Sequence, residues 1–413
     1  MRSESANIVA IVGQGYVGLP LAMTAVDAGW KVIGIDSDPK KVSQINSGSS
    51  PVEDIPDLIL QRALKSGFYT ATFDPSTVTQ ASVITICVPT PLNADREPDL
   101  SILTNAVHDI APYISDESLL ISESTSFPGT LRDVIAPIID ANKNVNSKRI
   151  HLASAPERVN PGDSNWNHKN TPRLVGGLDE ESRRLAVNFY ESIANVVFSV
   201  STPEIAEAAK LLENTFRLVN IGLINEFAQI CAVNSINVHE VVEAASTKPY
   251  GFMAFKPGVG VGGHCIPVDP LYLTWWARQK KSRIRLVELA DEVNLEMPKY
   301  VAERALALID PSIRNPRILI IGVAYKPGIG DVRETPATEL RNHLEDRGAT
   351  VAWHDPLVIE WKGSKSDNLD WSCDIAILSV AHPGVDLTKL LESGSTVLDC
   401  TDTLPINKNV FSL

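Results

Sequence analysis

A glycine-rich loop holds the cysteine best suited to covalent chemistry. Four of the six positions 258–263 are glycine, which predicts a loop whose backbone can lie against a ligand rather than a helix interior or a stable strand. Cys265 follows this loop, next to His264 and four residues before Asp269. A thiol in such a place can be exposed and polarised as a nucleophile, although a small buried residue beside a tight loop is the alternative.

The other four cysteines are the structural comparison. Cys87, Cys231 and Cys400 lie in apolar runs, and Cys373 lies at a predicted strand edge. Five cysteines without paired spacing do not form a disulfide framework, so we expect reduced thiols in a cytosolic protein.

Two further places carry groups suited to proton transfer and charge stabilisation. Glu157, in the segment 154–162, follows a predicted strand and can exchange protons there, or it forms a surface pair with Arg158. Lys210 and Asn214 are spaced i, i+4, so they share one face of a predicted helix. The apolar neighbours of Lys210 favour a desolvated ammonium group. The alternative is that only the aliphatic part of the side chain is covered and the ammonium group extends into solvent.

A glycine motif near the N-terminus predicts a dinucleotide site. Gly13-Gln14-Gly15-Tyr16-Val17-Gly18 follows a predicted strand and opens a helix, so its backbone can approach a pyrophosphate. A second strand ends at Asp36, eighteen residues after Gly18, where a carboxylate would bind ribose hydroxyls and repel a 2′-phosphate. The pattern therefore favours NAD over NADP. A helix-capping aspartate in a nucleotide-free fold is the alternative.

A parallel sheet must bring these groups together, and the first third of the chain predicts one. Short β-branched runs alternate with amphipathic stretches, which is typical of βαβ units. The predicted strands are Ile8–Val12, Lys31–Ile35, Val83–Val88, Leu119–Ser122, His151–Ser154 and Asn195–Phe198, and the predicted helices are Leu19–Ala28, Lys40–Ser47 and Ile102–Ile110.

A long helix and a second α/β pattern follow. The helix runs from Ile205 to about Val233, with Thr202 as its predicted cap. We expect an α/β protein with two Rossmann-like parallel-sheet domains joined by this central helix within a small helical domain, with boundaries at 1–201, 202–310 and 311–413. The last domain is predicted to contain the strands Arg317–Val323, Thr350–Trp353, Ile375–Val380 and Thr396–Leu398 and the helix Thr338–Arg347.

Composition excludes several classes of protein. The 413 residues are 44% hydrophobic and 21% charged, the balance of a globular protein, with a net charge of -13. An acidic surface repels phosphate backbones, which argues against a nucleic-acid partner. The apolar run Ile8–Val12 is too short for a secretory signal, and no uninterrupted apolar stretch reaches about 18 residues, so we expect a soluble cytoplasmic protein with no membrane partner.

Taken together, these segments resemble the nucleotide-sugar dehydrogenases, the UDP-glucose/GDP-mannose dehydrogenase family. The family's motifs occur in order over nearly the whole chain. Its cysteine loop, Gly-Gly-x-Cys-x-x-x-Asp, is matched at Gly262, Gly263, Cys265 and Asp269. Its other motifs are matched at Ser124, Thr125, Pro156, Glu157, Lys210, Asn214, Ala324, Tyr325, Lys326, Pro327, Asp331, Arg333, Glu334 and Pro336.

The resemblance implies a four-electron oxidation of the sugar C6 alcohol to a carboxylate with two NAD. Cys265 would attack the intermediate aldehyde, and the thiohemiacetal would lose a second hydride to become a thioester. Lys210 would stabilise the developing oxyanion with Asn214 beside it, and Asp269 would orient Lys210 or a water. Glu157 would act as the base in thioester hydrolysis.

The resemblance also implies binding residues and no metal, with Thr125 holding a water. The residues expected at the cofactor are Gly13, Gly15, Tyr16, Val17, Gly18, Asp36, Lys41, Pro89, Thr90, Ser124, Thr125 and Arg333. The residues expected at the sugar nucleotide are Glu157, Arg158, Val159, Lys210, Asn214, Lys256, Gly258, Gly262 and Lys326.

The expected substrate is UDP-N-acetylglucosamine, for surface-polysaccharide synthesis. Pro161 stands where the UDP-glucose members have a second glutamate. In this respect the segment resembles the branch that acts on N-acetylated hexosamines. The segments 248–253 and 262–269 most resemble UDP-N-acetylglucosamine 6-dehydrogenases, although Lys256 stands where that branch often has an aromatic residue. UDP-N-acetylmannosamine, UDP-N-acetylgalactosamine and UDP-glucose stay open.

Two other classes fit part of the pattern. A single-step β-hydroxyacid dehydrogenase shares a Rossmann domain, a long helix and a catalytic lysine, but it needs neither the Cys265 loop nor a second α/β domain. A nucleotide-sugar or NADH-binding redox sensor needs only the thiol, not the accompanying Lys210 and Asp269. For the enzyme, we expect a homodimer or higher homo-oligomer paired across the helical region.

Overall fold

The chain folds into two compact units. The structure is a computed structural model that describes residues 7–145, 147–159, 165–369, 372–392, 394–405 and 408–413. The first unit comprises Met1–Glu213 and Leu271–Lys280, and the second comprises Asn214–Pro270 and Lys281–Leu413. The predicted α/β class with two parallel-sheet folds and a long helix is confirmed, whereas the three domain boundaries remain a prediction.

The first unit is built on a sheet of eight described strands. Their order is β3-β2-β1-β4-β5-β6-β7-β8, and every neighbouring pair is parallel except β6 and β7. The strands are β1 (Ile8–Val12), β2 (Lys31–Ile35), β3 (Tyr69–Thr72), β4 (Val83–Ile86), β5 (Leu119–Ser122), β6 (His151–Ser154), β7 (Arg173–Gly177) and β8 (Val197–Val200).

Register aligns the carboxyl ends of the central strands. Val12 pairs with Ile35 and with Ile86, and Ser122 pairs with both Ile86 and Ser154. The residues that follow these strands therefore meet at one edge of the sheet, where ligands bind in doubly wound folds.

The reversed strand β7 changes what that edge contains. In the antiparallel pair, Ser154 of β6 lies opposite Gly176. Because β7 runs backwards, its first residue, Arg173, lies beyond the carboxyl end of β6 instead of at the opposite edge. An arginine is thereby brought among the loops that follow β5 and β6.

Helices cover both faces of this sheet. Buried residues of β1, β4 and β5 alternate between two hydrophobic clusters, one on each face. Asp38 and Asp179 cap α2 and α6 by accepting hydrogen bonds from backbone N–H groups. The helices are α1 (Gly18–Asp27), α2 (Pro39–Asn46), α3 (Asp57–Ser66), α4 (Ser101–Ile110), α5 (Ala136–Asn142) and α6 (Glu180–Ile193).

The second unit carries a smaller parallel sheet ordered β10-β9-β13-β14-β15 and a separate two-stranded ribbon of β11 and β12. Met297 and Val301, on a helix before this sheet, belong to the cluster that covers one of its faces. The strands are β9 (Arg317–Ile321), β10 (Thr350–His354), β11 (Glu360–Trp361), β12 (Ser364–Lys365), β13 (Ile375–Leu378), β14 (Thr396–Asp399) and β15 (Val410–Ser412).

The remaining helices include the long one predicted from sequence. They are α7 (Pro203–Val233), α8 (Val238–Ser246), α9 (Asp269–Gln279), α10 (Arg285–Ala307), α11 (Ala337–Glu345) and α12 (Thr388–Glu392). By length and composition alone, α7 is the one described helix that could cross a membrane. Gly222 of α7 lies against α10, where an added Cβ would come within 3.2 Å of Ala290.

Most predicted elements are present with shifted ends. β1, β2, β5 and β6 have the predicted bounds, whereas β8 lies at Val197–Val200 instead of Asn195–Phe198. The strands β3, β7 and β15 and the 23-residue α10 were not predicted. Sequence pattern thus gives the central strands and the edge strands β8 and β10, but not the edge strands β3 and β15 or the reversed strand β7.

Two carboxylates at the start of α7 hold the loop after β5. Buried Glu207 accepts hydrogen bonds from the backbone N–H groups of Gly129 at 2.7 Å and Leu131 at 3.0 Å. Burial raises the pKa of Glu207 to about 8, against the lowering effect of these two bonds. One turn earlier, partial burial acts to raise the pKa of Glu204, but its bond to Arg132 at 2.7 Å helps to lower it.

Glu207→Gln should change the pH dependence of the free energy of unfolding. A carboxyl group whose pKa is raised on folding stabilises the folded state below its unfolded value of 4.5, and this contribution is lost as the pH rises through about 8. The wild type should therefore lose stability relative to Glu207→Gln as the pH is raised from about 5 to about 9, measured by urea unfolding.

Glu204→Gln is the matched control, because the pKa of Glu204 is lowered on folding. Its difference from the wild type should lie in the acid range and have the opposite sign. Curves for Glu207→Gln and the wild type that stay parallel over this pH range would contradict a raised pKa at Glu207.

Candidate active site

The turn after β1 has the geometry of a dinucleotide-binding loop. Gly13 has φ +92°, and a Cβ added there would lie 2.8 Å from the Cys87 carbonyl oxygen. A Cβ at Gly18 would collide with the carbonyl oxygen of Gly13, so this position keeps α1 close to the strand. An added Cβ at Gly15 would meet nothing within 4 Å, which leaves room for a ligand to approach the backbone.

Asp36 lies beside this turn at the end of β2. Its Oδ2 accepts hydrogen bonds from the Gln14 backbone N–H and the Lys41 ammonium, both at 2.9 Å. Its Oδ1 accepts one from the Asp38 backbone N–H at 3.1 Å and keeps a further lone pair. A buried carboxylate at this place, next to an open glycine turn, fits the adenosine ribose of NAD.

The loops after β4 and β5 are tied together. The Thr90 hydroxyl donates to the carbonyl oxygen of Thr125 at 2.7 Å, and the Ser124 hydroxyl donates to that of Val88 at 2.7 Å. Ser124 is buried, Thr125 is half-buried and Pro89 is exposed. The structure thus brings together the residues that sequence assigned to the middle of the cofactor site.

The segment after β6 is held by hydrogen bonds within itself, to α7 and to the residue before β7. One oxygen of Glu157 accepts hydrogen bonds from the backbone N–H groups of Arg158 and Val159, both at 2.5 Å. The Arg158 guanidinium donates to Glu213 of α7 at 2.6 and 3.1 Å and to the Pro172 carbonyl oxygen at 2.9 Å. The end of the predicted motif, from Asn160 to Gly162, lies outside the described residues.

A buried ion triad at this edge was not predicted from sequence. Arg173 donates to Glu157 Oε2 and to Glu123 Oε2, both at 2.6 Å, and its guanidinium lies 4.8 Å from the centre of the Tyr190 ring. The Tyr190 hydroxyl donates to the other oxygen of Glu123 at 2.5 Å. Burial raises the pKa of Glu123 to about 7, although Arg173 acts to lower it.

The cysteine loop of the second unit is shaped by close backbone contacts. Gly263 has φ +86°, and a Cβ there would lie 2.7 Å from the Tyr325 ring, while one at Gly262 would lie 2.7 Å from the Glu334 carbonyl oxygen. The Gly263 N–H also donates to the Arg333 carbonyl oxygen at 3.3 Å. Cys265, two residues on, is exposed, whereas Cys87, Cys231 and Cys400 are buried.

The start of α9 contacts both the cysteine loop and Asn214 of α7. The Asp269 N–H donates to the Cys265 carbonyl oxygen at 2.8 Å, and Asp269 Oδ2 accepts a hydrogen bond from the Asn214 amide at 2.5 Å. One turn before Asn214 on α7, Lys210 is 7% exposed, so the desolvated alternative for this lysine is the one observed.

The cations expected to bind anionic ligands lie beside other groups. Lys256 lies 3.7 Å from Asp402, and Arg333 pairs with Asp331 at 2.5 Å. Partial burial acts to raise the pKa of Asp331, but Arg333 holds it below its ordinary value. The Lys326 ammonium lies 5.7 Å from the centre of the Tyr325 ring.

The second sheet repeats the carboxylate device of the first. Asp355, just after β10, accepts hydrogen bonds from the N–H groups of Val323 and Ala324 at 2.8 and 3.0 Å, as Asp36 does from Gln14. A cavity of about 450 Å³ opens at the adjacent carboxyl ends of β9 and β13. Its described lining includes Asp386 but neither lysine nor arginine, so it suits a neutral group better than a diphosphate.

Three family models match the chain in consecutive segments. Residues 7–194 match the NAD binding domain of the UDP-glucose/GDP-mannose dehydrogenase family, residues 204–296 match its central domain, and residues 319–404 match its UDP binding domain. The chain belongs to this family. It is therefore an NAD-dependent nucleotide-sugar dehydrogenase, which confirms the predicted family, enzyme class and cofactor.

Several relatives and solved structures are similar to this dehydrogenase in sequence or in fold along most of its length. It is 36% identical over 352 residues to the UDP-N-acetyl-D-mannosamine dehydrogenase of Methanocaldococcus jannaschii, covering 84% of this chain and 78% of the relative. The structure of the UDP-D-ManNAc dehydrogenase from Pyrococcus horikoshii matches with TM-score 0.86 and 30% identity over 98% of both chains. The UDP-N-acetyl-mannosamine dehydrogenase Cap5O of Staphylococcus aureus matches with TM-score 0.85 and 26% identity over 98% and 97% of the two chains.

Three residues of the buried ion cluster were not predicted from the sequence. Arg173, Glu123 and Tyr190 lie on different elements, and nothing in their spacing indicates that they meet. A strand prediction for β7 with reversed direction would have been needed to place Arg173. The one available signal was Glu123, which directly precedes the predicted Ser124 and Thr125.

Asp36→Asn should weaken the use of NAD and favour NADP in relative terms. The amide oxygen can still accept from Gln14, but the charged ribose acceptor is lost and Lys41 is released from its ion pair. A hydrogen bond to a charged group contributes about 1.5–3 kcal/mol, which corresponds to a loss of roughly 10- to 100-fold in kcat/KM for NAD. Steady-state kinetics with NAD and NADP measure both effects.

Asp27→Asn is the control for Asp36→Asn, because Asp27 is exposed and forms a long surface ion pair with Arg62 at 3.5 Å. It should leave both kinetic constants unchanged. An unaltered ratio of kcat/KM for NAD and NADP in Asp36→Asn would show that Asp36 does not bind the ribose hydroxyls.

Proposed function

We propose that this dehydrogenase oxidises the C6 hydroxyl of a UDP-N-acetylhexosamine to a carboxylate through a thioester on Cys265. The observation that carries the proposal is an exposed thiol on a glycine loop locked against Tyr325 and Glu334, with the Asp269–Asn214 pair at the next helix start. A cysteine that is exposed, and whose loop is fixed by close backbone contacts, is typical of a nucleophile and not of a core residue.

The chemistry divides into two oxidations and one hydrolysis. NAD accepts a hydride in each oxidation. After the first, the Cys265 sulfur forms a bond to the aldehyde carbon, and loss of hydride from the resulting thiohemiacetal gives the thioester. Water then attacks the thioester carbon, the C–S bond breaks, and the electron pair returns to the Cys265 thiolate. Covalent attachment retains the reactive aldehyde while the cofactor is exchanged.

Charge stabilisation is assigned to the residues of α7 and α9. Lys210 is buried, so its ammonium would stabilise the developing oxyanion more strongly than it would in water. Asn214 is held by Asp269, which fixes the orientation of its amide. Thr125 is assigned to a water, since its carbonyl oxygen is already engaged by Thr90 and the residue is half-buried.

The names of the relatives favour one hexosamine. The relatives from Methanocaldococcus jannaschii, Pyrococcus horikoshii and Escherichia coli are named UDP-N-acetyl-D-mannosamine dehydrogenases and are 32–36% identical to this chain. None of these three relatives is named for the UDP-N-acetylglucosamine expected from the sequence motifs. We therefore place UDP-N-acetyl-D-mannosamine first, to be compared with the glucosamine, galactosamine and glucose nucleotides by NADH absorbance.

Cys265→Ser should bind both ligands and lose turnover. The hydroxyl is a far weaker nucleophile than a thiolate, so the variant should release at most one NADH and aldehyde, whereas the wild type should form two NADH per uronate. Stopped-flow absorbance and product analysis measure the stoichiometry, and Cys373→Ser is the matched control with unchanged rates.

The stoichiometry also separates the competing classes. A single NADH per wild-type turnover with free aldehyde as product would indicate a single-step dehydrogenase. Binding of NAD and UDP-sugars with no NADH formed, together with oxidation of Cys265, would favour the redox sensor.

We also propose that two copies pair through the second part of α7 in the cytoplasm, where a reduced Cys265 is maintained. Along this helix Leu223, Ile230 and Val233 are 61–87% exposed, and Leu286, at the start of α10, is 71% exposed. A run of aliphatic side chains in water along a helix is typical of a surface that another apolar surface covers. The repetition of the same side chains on a second copy supports an isologous dimer.

Leu223→Glu should shift this dehydrogenase from dimer to monomer, because it would bury a charge on each copy in the paired surface. Analytical ultracentrifugation measures the mass in solution. Leu58→Glu, at a 76% exposed leucine of the first unit, is the control and should keep the wild-type mass. A wild type that sediments as a monomer would remove the proposed pairing.

A further inference from the structure

We propose that Asn294 of α10 is a positioning residue that holds the start of the glycine loop (residues 258–263) through the side chain of Asn225 on α7. The inference rests on the proposed function, because this loop leads to the Cys265 nucleophile. All residues that carry it, and Cys265 itself, belong to the second unit. Neither asparagine is part of a motif predicted from the sequence.

The side chain of Asn294 has one amide orientation that fits its surroundings. It is 5% exposed, and its Nδ2 donates hydrogen bonds to the carbonyl oxygens of Leu218 on α7 at 3.2 Å and Ala290 on α10 at 2.8 Å. Both partners are acceptors, so the amide nitrogen must face them and Oδ1 must point the other way. This Oδ1 accepts a hydrogen bond from the Asn225 amide at 2.9 Å.

The side chain of Asn225 transfers this orientation to the loop. It is completely buried, and its Oδ1 accepts a hydrogen bond from the Gly258 backbone N–H at 2.9 Å. A rotated Asn225 amide would place its oxygen against the oxygen of Asn294 and its NH₂ group against the Gly258 N–H, which would break both bonds. Because a buried amide without partners is costly, Asn294 selects the one orientation of Asn225 that holds Gly258.

The same turn of α10 supports the next two residues of the loop. Val259 is 4% exposed and belongs to the hydrophobic cluster that includes Met297. Gly260 has φ +141°, and a Cβ added there would lie 3.1 Å from the carbonyl oxygen of Asn294. Pro298 has no N–H with which to bond that carbonyl oxygen, as residue i+4 does in a regular helix. Three successive loop residues are therefore held by one turn of α10.

Asn294→Ala should weaken the binding of the UDP-sugar and slow its oxidation without weakening the binding of NAD. The Asn225 amide would lose its partner, and a displacement of about 1 Å at reacting groups costs on the order of 10²-fold in rate. We expect a higher KM for UDP-N-acetyl-D-mannosamine and a fall of about 10- to 100-fold in kcat/KM. The dissociation constant of NAD, from fluorescence titration, should match the wild type, since Asp36 and the glycine turn beside it belong to the first unit. Asn342→Ala, at an exposed asparagine of α11, is the control with wild-type kinetics.

Asn225→Asp tests the hydrogen-bond pattern itself. A protonated carboxyl group has one O–H donor for Asn294 and one acceptor oxygen for Gly258, whereas an ionised one has no donor. Burial disfavours the ionised form and raises the pKa of the introduced carboxyl group. The kcat/KM of this variant relative to the wild type should therefore rise as the pH is lowered. In the double variant Asn225→Asp/Asn294→Ala this rise should be lost, because no amide oxygen faces the carboxyl group.

Each outcome decides one proposal. Wild-type kcat/KM for the UDP-sugar in Asn294→Ala would overturn the positioning role, and so would losses that only follow the folded fraction measured by circular dichroism. An activity ratio of Asn225→Asp that does not change with pH would overturn the proposed orientation of the two amides. A wild type that makes one NADH per turnover would instead remove the proposed function, whereas calorimetry of UDP-N-acetyl-D-mannosamine binding would still test the loop. Should Asn294→Ala not fold, the isosteric Asn225→Asp decides.

Discussion

A buried arginine within a β-sheet must be matched by opposite charges and hydrogen bonds from the residues around it. Arg173 is almost fully buried, so the protein must supply two carboxylates, an aromatic face and matching geometry. Glu123 and Glu157 meet the charge, Tyr190 binds the far side of Glu123, and the backbone after each glutamate follows. The residues before Thr125 and Arg158 thus share one buried charge, and the Arg158 guanidinium connects this cluster to Glu213, on the turn of α7 after Lys210.

Local signals in the sequence carry a large part of this fold. The Gly13–Gly18 turn, the strands around it and the length of α7 are encoded within short stretches, because steric limits at glycine and helical periodicity act between near neighbours. The buried Lys210 and the exposed Cys265 were also anticipated as one of two alternatives. What local pattern could not give is the direction of β7, since strand direction is decided by pairing with β6 and not by the residues of β7 themselves.

The candidate site shows the same division. Asp36 and the cysteine loop were found because each motif is contiguous or lies at a characteristic distance. The hydrogen bonds of the ion triad and of Tyr190 join residues 16, 50 and 67 positions apart, and a buried ion pair leaves no periodicity in the sequence. The net negative charge of the chain is also reflected in the surroundings of its cations. Lys41, Lys256 and Arg333 each lie beside an aspartate, so backbone N–H groups at the glycine turn must supply much of the attraction for a diphosphate.

The helix α9 has a topological consequence. Since Leu271–Lys280 belongs to the first unit while the chain on both sides belongs to the second, the polypeptide passes from one unit to the other after Glu213, Pro270 and Lys280. Neither unit is a continuous segment of sequence, and no single cut releases either one whole. A chimera that exchanges one unit between two relatives needs three junctions. One of them falls between Pro270 and Leu271, inside the first turn of α9, so Cys265 and Asp269 travel with the second unit while the rest of α9 travels with the first.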